Sequence, residues 1–172
     1  MCTTQGGEEM KRSAIALEFI IISLMLFLIT TSPSAGQKEP VRPSPRDKCP
    51  VCGMFVVKHP DFIAEIIFKD SAYAVFDGAK DMFKYYFNLG KYNPKRKYAD
   101  IDAIYATDYY RLTFIDGYKA YYVGGSDVYG PMGRELISFG KSSDAEEFKR
   151  DHKGKAILQF KDITYDVIKG LD

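Results

Sequence analysis

Thiols, imidazoles and net charge are all scarce in this sequence, and each scarcity removes a class of protein. The 172 residues hold three cysteines and two histidines, and 24 basic against 23 acidic side chains leave a formal charge of +1. That balance offers no field to draw in a polyanion, so nucleic acid is excluded as a partner at this level. Cys2 stands far ahead of the other two thiols, so only Cys49 and Cys52 serve the body of the chain, too few for a disulfide scaffold. A structural zinc site needs four ligands, no second cysteine pair exists, and His59 and His152 would complete the set only through an unusual spacing. The signature of disorder is missing as well: 46% of residues are hydrophobic and 15% aromatic, ample for a core.

What is present begins with a leader. Lys11 and Arg12 precede an apolar run over residues 19–29, and Thr-Ser-Pro-Ser-Ala-Gly follows. A basic start, a short apolar run and small residues fit a secretory signal peptide. Counted from Ser13 to Thr30 the run also borders on a membrane anchor, although Glu18 interrupts it. Both fates put the body in the periplasm or another extracytoplasmic space. Residues 1–36 are therefore assigned as signal peptide or anchor, 37–48 as a Pro-rich extended tether, and 49–168 as the functional domain.

The body alternates short strand and helix signals. Residues 62–68 and 73–76 read as a hairpin. Residues 79–89 carry Met82, Phe83, Tyr86 and Phe87 at helical spacing, with Asp77 as N-cap and Gly90 as the stop. A strand is expected over 101–106, and Asp116-Gly117 predicts a hairpin between 111–115 and 118–123. Residues 124–133, with four glycines and a proline, read as a loop. A strand over 135–139, a helix capped at Ser142 or Ser143 and running to about His152, and a strand over 156–160 complete the pattern. Each half places a Gly-flanked methionine, Met54 or Met132, before a ββαβ-like run. The expected fold is α+β, with two related ββαβ-like lobes, about 49–108 and 109–168, each an antiparallel sheet with one helix.

The stretch Cys49-Pro-Val-Cys-Gly-Met54 carries the chemistry. A disulfide there would close a loop of about four residues and contribute roughly 2 kcal/mol, a weak staple. A thioredoxin-like pair wants its first cysteine at a helix N-terminus behind a strand, and here a Pro-rich segment precedes it. Cu(I) uses the remaining oddities, because soft thiolate and thioether donors select it. Met54 follows Cys52 across a glycine, and Met132 lies in a glycine-rich segment, whereas Met82 sits among aromatics as core filler. The candidate metal ligands are Cys49, Cys52, Met54 and Met132. His59 and His152 rank behind them, and zinc stays open as the other metal.

Three stretches together resemble the NosL family, copper-binding accessory proteins of nitrous oxide reductase. They are Cys49-Pro-Val-Cys-Gly-Met54, the block from Tyr122 to Phe139 containing Gly130-Pro-Met-Gly133, and the run from Ala145 to Ile163. The likeness spans about residues 47–166. It implies a non-catalytic extracytoplasmic protein that binds Cu(I) and hands it to a copper-dependent client, nitrous oxide reductase and its membrane assembly machinery being the family's case. It also implies two ββαβ lobes, and a ligand role for Cys52, Met54 and Met132; Cys49 joins these on its own chemistry. Family members are typically lipoproteins, and here no cysteine follows the apolar run at a distance suited to lipid attachment. The family's Gly-Gly after histidine is Lys153-Gly154. Two rival readings are a thiol oxidoreductase, or lyase acting on metal–carbon bonds, and a structural zinc module in an interaction domain.

Overall fold

The computed structural model describes residues 36–172; the leader assignments therefore lie outside the described residues, Gly36 aside. Among the described residues no helix is long and apolar enough to cross a membrane.

Two ββαβ units repeat one topology. The first runs β1 (Ala64–Phe68), β2 (Tyr73–Phe76), helix α1 (Ala79–Phe87), a short helix α2 (Leu89–Tyr92) and β3 (Ile101–Asp108). The second runs β5 (Tyr121–Gly130), β6 (Gly133–Phe139), helix α3 (Ser142–Asp151) and β7 (Ala156–Gln159), with a terminal helix α4 (Tyr165–Lys169). Every strand pairing is antiparallel, and the sheets are ordered β2-β1-β3-β4 and β6-β5-β7. In each, the unit's first strand lies between its second and third. The expected α+β class and the internal repeat are both present.

Local signals misled at five points. β4 (Thr113–Asp116) pairs with β3 and belongs to the first sheet, so Asp116-Gly117 closes no hairpin. Both edges of β5 are already taken: Tyr121 opposes Phe139 on one side and Gln159 on the other. Gly117 instead spends its N–H on Ile104 O at 2.7 Å, and a Cβ there would sit 2.7 Å from Ile104 Cγ2. The glycine serves a close crossing of chains, where the buried Tyr122 hydroxyl also donates to Gly117 O at 2.7 Å. Residues 124–133 are mostly strand, not loop. Their glycines mark an irregularity between Gly124 and Tyr129, with Gly125 at φ 74°, and only Pro131-Met132 turns the chain between paired Gly130 and Gly133. The N-cap of α1 is Gly78, not Asp77, and Gly90 does not end the helical segment, lying inside α2. For α3 the N-cap is Lys141, so neither serine caps it. Lys153 holds φ 56°.

Residues 37–48 form no helix or strand beyond one bridge, Lys48 to Phe55, and they are pinned along the first sheet. Lys38 N–H donates to Asp102, Tyr105 Oη donates to Lys38 O at 2.7 Å, and Val41 N–H donates to Glu65 Oε2 at 2.9 Å. All five β1 residues are buried in consequence, Glu65 among them. Burial, with Asp47 adding like charge, pushes the Glu65 carboxyl up to about 7, against the pull of the Val41 N–H. A raised carboxyl stabilises the fold fully below its unfolded pKa of 4.5, and that contribution is lost as pH climbs through about 7. Thermal unfolding is therefore expected to be highest near pH 5 and to fall toward pH 8. Glu65→Gln should recover about 2 kcal/mol at pH 8 and little at pH 5. A Tm that rises with pH across this window would contradict the assignment.

Candidate metal centre

The stretch 49–54 folds into a tight turn closed by its own backbone. Cys49 N–H donates to Met54 O at 2.9 Å, and Gly53 N–H donates to Cys49 O at 2.8 Å. Gly53 holds φ 80°, a conformation open to glycine at little cost, which lets the chain double back between Cys52 and Met54. Both cysteines carry free thiols, Cys49 buried and Cys52 half-buried. Backbone N–H groups of Val51 and Cys52 point at the Cys49 sulfur, and that of Met54 at the Cys52 sulfur. Such donors favour a thiolate, the form that binds metal.

Helix α1 brings two carboxylates against this turn. Cys49 Sγ donates to Asp81 Oδ2 at 3.4 Å, and Cys52 Sγ lies 3.3 Å from both Asp77 oxygens. One donor atom from each of Cys49, Cys52, Asp77 and Asp81 falls within 4.8 Å of all the others. The sequence offered no hint of acids beside the thiols. Asp77 reads locally as a cap, and Asp81 as one more polar helix position. The available signal is that 77 and 81 are four apart, a spacing that sets both carboxylates on one face where a helix begins.

Burial pushes the Cys52 thiol up to about 11, with Asp77 and Asp81 adding to it, and pushes Cys49 up as well, with Asp77 adding. Reactive cysteines are lowered instead. Without a cation these thiols hold their protons, and a cation among four acidic groups would invert that balance.

The two sequence-proposed methionines sit in different settings. Met54 is half-buried at the end of the turn. Met132 is 45% exposed at the β5–β6 turn, and its carbonyl accepts from Lys80 Nζ at 2.8 Å. Lys80 lies on α1 between Asp77 and Asp81, so the fold carries residue 132 to the helix turn that faces the thiols. Met82 is fully buried in the core. His152 stacks on Phe148 and faces Asp127 at 3.3 Å, and neither histidine belongs to the cysteine–aspartate group.

A model of the NosL family matches residues 40–168. The chain belongs to the NosL family. Over 133 residues it is 29% identical to a Stutzerimonas stutzeri protein named copper-binding lipoprotein NosL, a match covering 73% of this chain and 66% of that relative's length. The crystal structure of the copper chaperone NosL from Shewanella denitrificans is similar with a TM-score of 0.66 at 24% identity, covering 76% of this chain and 99% of that one. Likeness at that identity is one of fold, and it extends the NosL assignment to the paired ββαβ architecture. The solution structure of the apo-NosL protein from Achromobacter cycloclastes matches at 27% identity over 61% of this chain and 87% of its own, with a TM-score of 0.44.

Proposed function

We propose that this NosL-family protein is an extracytoplasmic Cu(I) chaperone that delivers copper to a copper enzyme, with nitrous oxide reductase maturation as the client process. The observation that carries the reading is the preformed Cys49–Met54 turn, with two free thiols and backbone N–H groups aimed at both sulfurs. Cys49 and Cys52 hold the ion as thiolates, and Met54 and Met132 supply thioether sulfur. Soft donors of this kind retain copper in its reduced state. Accessible sulfur at Cys52 and Met132 suits cargo that must leave by ligand exchange with a client. The relatives named for copper binding support the metal, and the lipoprotein relative, together with the leader, supports an extracytoplasmic site with membrane association through the N-terminal segment. Thiols pushed up by burial and flanked by carboxylates argue against an oxidoreductase.

The test is a titration of the reduced full-length chain with Cu(I) against a chromogenic Cu(I) chelator. Met54→Ala and Met132→Ala are each expected to weaken binding at least about 10-fold, the scale on which metal sites respond even to outer-shell losses. Unchanged affinity in both variants would remove the thioethers from the site. One observation favours a second reading, a structural zinc centre: Cys49, Cys52, Asp77 and Asp81 offer the four N, O or S donors that tetrahedral zinc takes. Metal analysis of protein recovered from a copper-supplemented periplasm separates the two. Zinc at one equivalent with no copper would favour the second.

A further inference from the structure

Helix α1 begins without a cap of its own. Its N-cap is Gly78, which has no side chain to accept from the first-turn N–H groups. The acceptor comes from the other lobe. Glu135 on β6, 3% exposed, takes the Lys80 N–H on Oε1 at 2.6 Å and the Leu136 N–H on the same oxygen at 2.8 Å. The fit leaves no room at position 78, where a Cβ would stand 2.1 Å from Glu135 Oε2. The same lysine answers in the opposite direction. Its side chain is 2% exposed, and its Nζ donates to Met132 O at 2.8 Å, with Asp172 Oδ1 3.8 Å away. Between these two links lie only the first turn of α1 and the β5–β6 turn, Gly130 to Gly133.

Burying a lysine head group is costly unless it is partnered, and a solvated lysine would serve α1 equally well as a helix former. The buried position makes sense if the bond to Met132 has a task. The Met132 backbone is held while its thioether remains outside, and the helix turn that holds it presents Asp77 and Asp81 to the thiol pair. We infer that Lys80 and Glu135 form a clasp between the lobes that positions the Met132 turn over the Cys49–Cys52 pair. Lys80 is thus a positioning residue for the metal site and no ligand itself. The inference rests on the reading of Met132 as a sulfur donor to Cu(I).

Four full-length variants test it: Lys80→Leu, which keeps an apolar stem, removes the donor and brings no sulfur, Met132→Ala, the double variant, and Lys80→Arg as the conservative replacement. Cu(I) affinity is read by chelator competition, and the number of sulfur neighbours by X-ray absorption at the copper edge. Lys80→Leu should weaken Cu(I) about 10-fold and lose one sulfur neighbour, as Met132→Ala does. The double variant should bind no more weakly than Met132→Ala, and Lys80→Arg should restore part of the affinity. Wild-type affinity and sulfur count in folded Lys80→Leu, beside a weakened Met132→Ala, overturn the clasp and leave the thioether reading standing. Wild-type affinity in Met132→Ala overturns the thioether reading and the clasp with it. Should Lys80→Leu fail to fold, Gly78→Ala opens the clasp from the Glu135 side and must show the same loss of one sulfur neighbour; a full count there overturns the inference.

Discussion

Cys52→Ser is expected to lower Cu(I) affinity by more than about 100-fold while leaving the fold intact. Loss of outer-shell partners alone costs metal sites about 10–100-fold, and this change replaces a soft thiolate by a hard hydroxyl at the accessible edge of the site. Serine keeps a hydrogen-bond donor for Asp77, which accepts from Cys52 at 3.3 Å, so the turn should stay closed. Cys49→Ser should do the same to copper and add a stability cost, because Cys49 is buried in the main core and bonded to Asp81. The contrast between metals is the informative part. A residual set of one thiolate with Asp77 and Asp81 still suits zinc better than Cu(I), so zinc affinity should fall less than copper affinity in either variant. Chelator competition for both metals, with circular dichroism as the control, measures this. Copper affinity within threefold of wild type in Cys52→Ser would dismiss the thiol-based site.

The parts of the proposed site legible in the sequence are those encoded locally. Cys49, Cys52 and Met54 lie in one six-residue stretch, and Gly53 announces the turn that holds them. The ββαβ repeat was legible too, since strand and helix periods are local. Met132, however, stands inside the second unit, at the β5–β6 turn, and not ahead of it as Met54 stands ahead of the first; the loop-like glycines of residues 124–133 hide this. What escaped depended on distant pairing. Residues 124–130 carry glycines that locally signal loop, yet β6 and β7 flank β5 and hold its first half as strand. Asp116-Gly117 has the composition of a hairpin turn, but the partners β5 prefers come later in the chain. Asp77 and Asp81 carry no mark of nearness to thiols some 25 to 32 residues earlier. Glu65 stands in a stretch that reads as an apolar strand, and its burial follows only from the strap of residues 37–48 crossing the sheet.

The lobes must also stay docked if Met132 is to serve the thiols, and Phe83 is the residue best placed to show it. It is fully buried on α1, one turn beyond Ala79, and its ring meets Phe160 at 5.1 Å and Tyr122 edge-on at 5.3 Å, both from the second unit, as well as Phe87 at 6.1 Å. Truncation of such a residue to alanine costs about 3–5 kcal/mol through lost burial and the cavity left behind, out of a total of roughly 5–15 kcal/mol for a domain. For a body of this size the expected drop in Tm is on the order of 10–20 °C. Copper binding supplies the discriminating readout below the transition. The Cys49–Met54 turn is closed by its own backbone and should keep both thiolates, whereas the seam that brings Met132 to α1 is loosened. Phe83→Ala is therefore expected to retain the three sulfur neighbours of the turn, Cys49, Cys52 and Met54, around Cu(I) and to lose the contribution of Met132, so that adding Met132→Ala weakens binding no further. A full additive loss in the double variant would mean that the methionine reaches the metal without help from the packed seam, and that the aromatic core between the lobes serves stability alone.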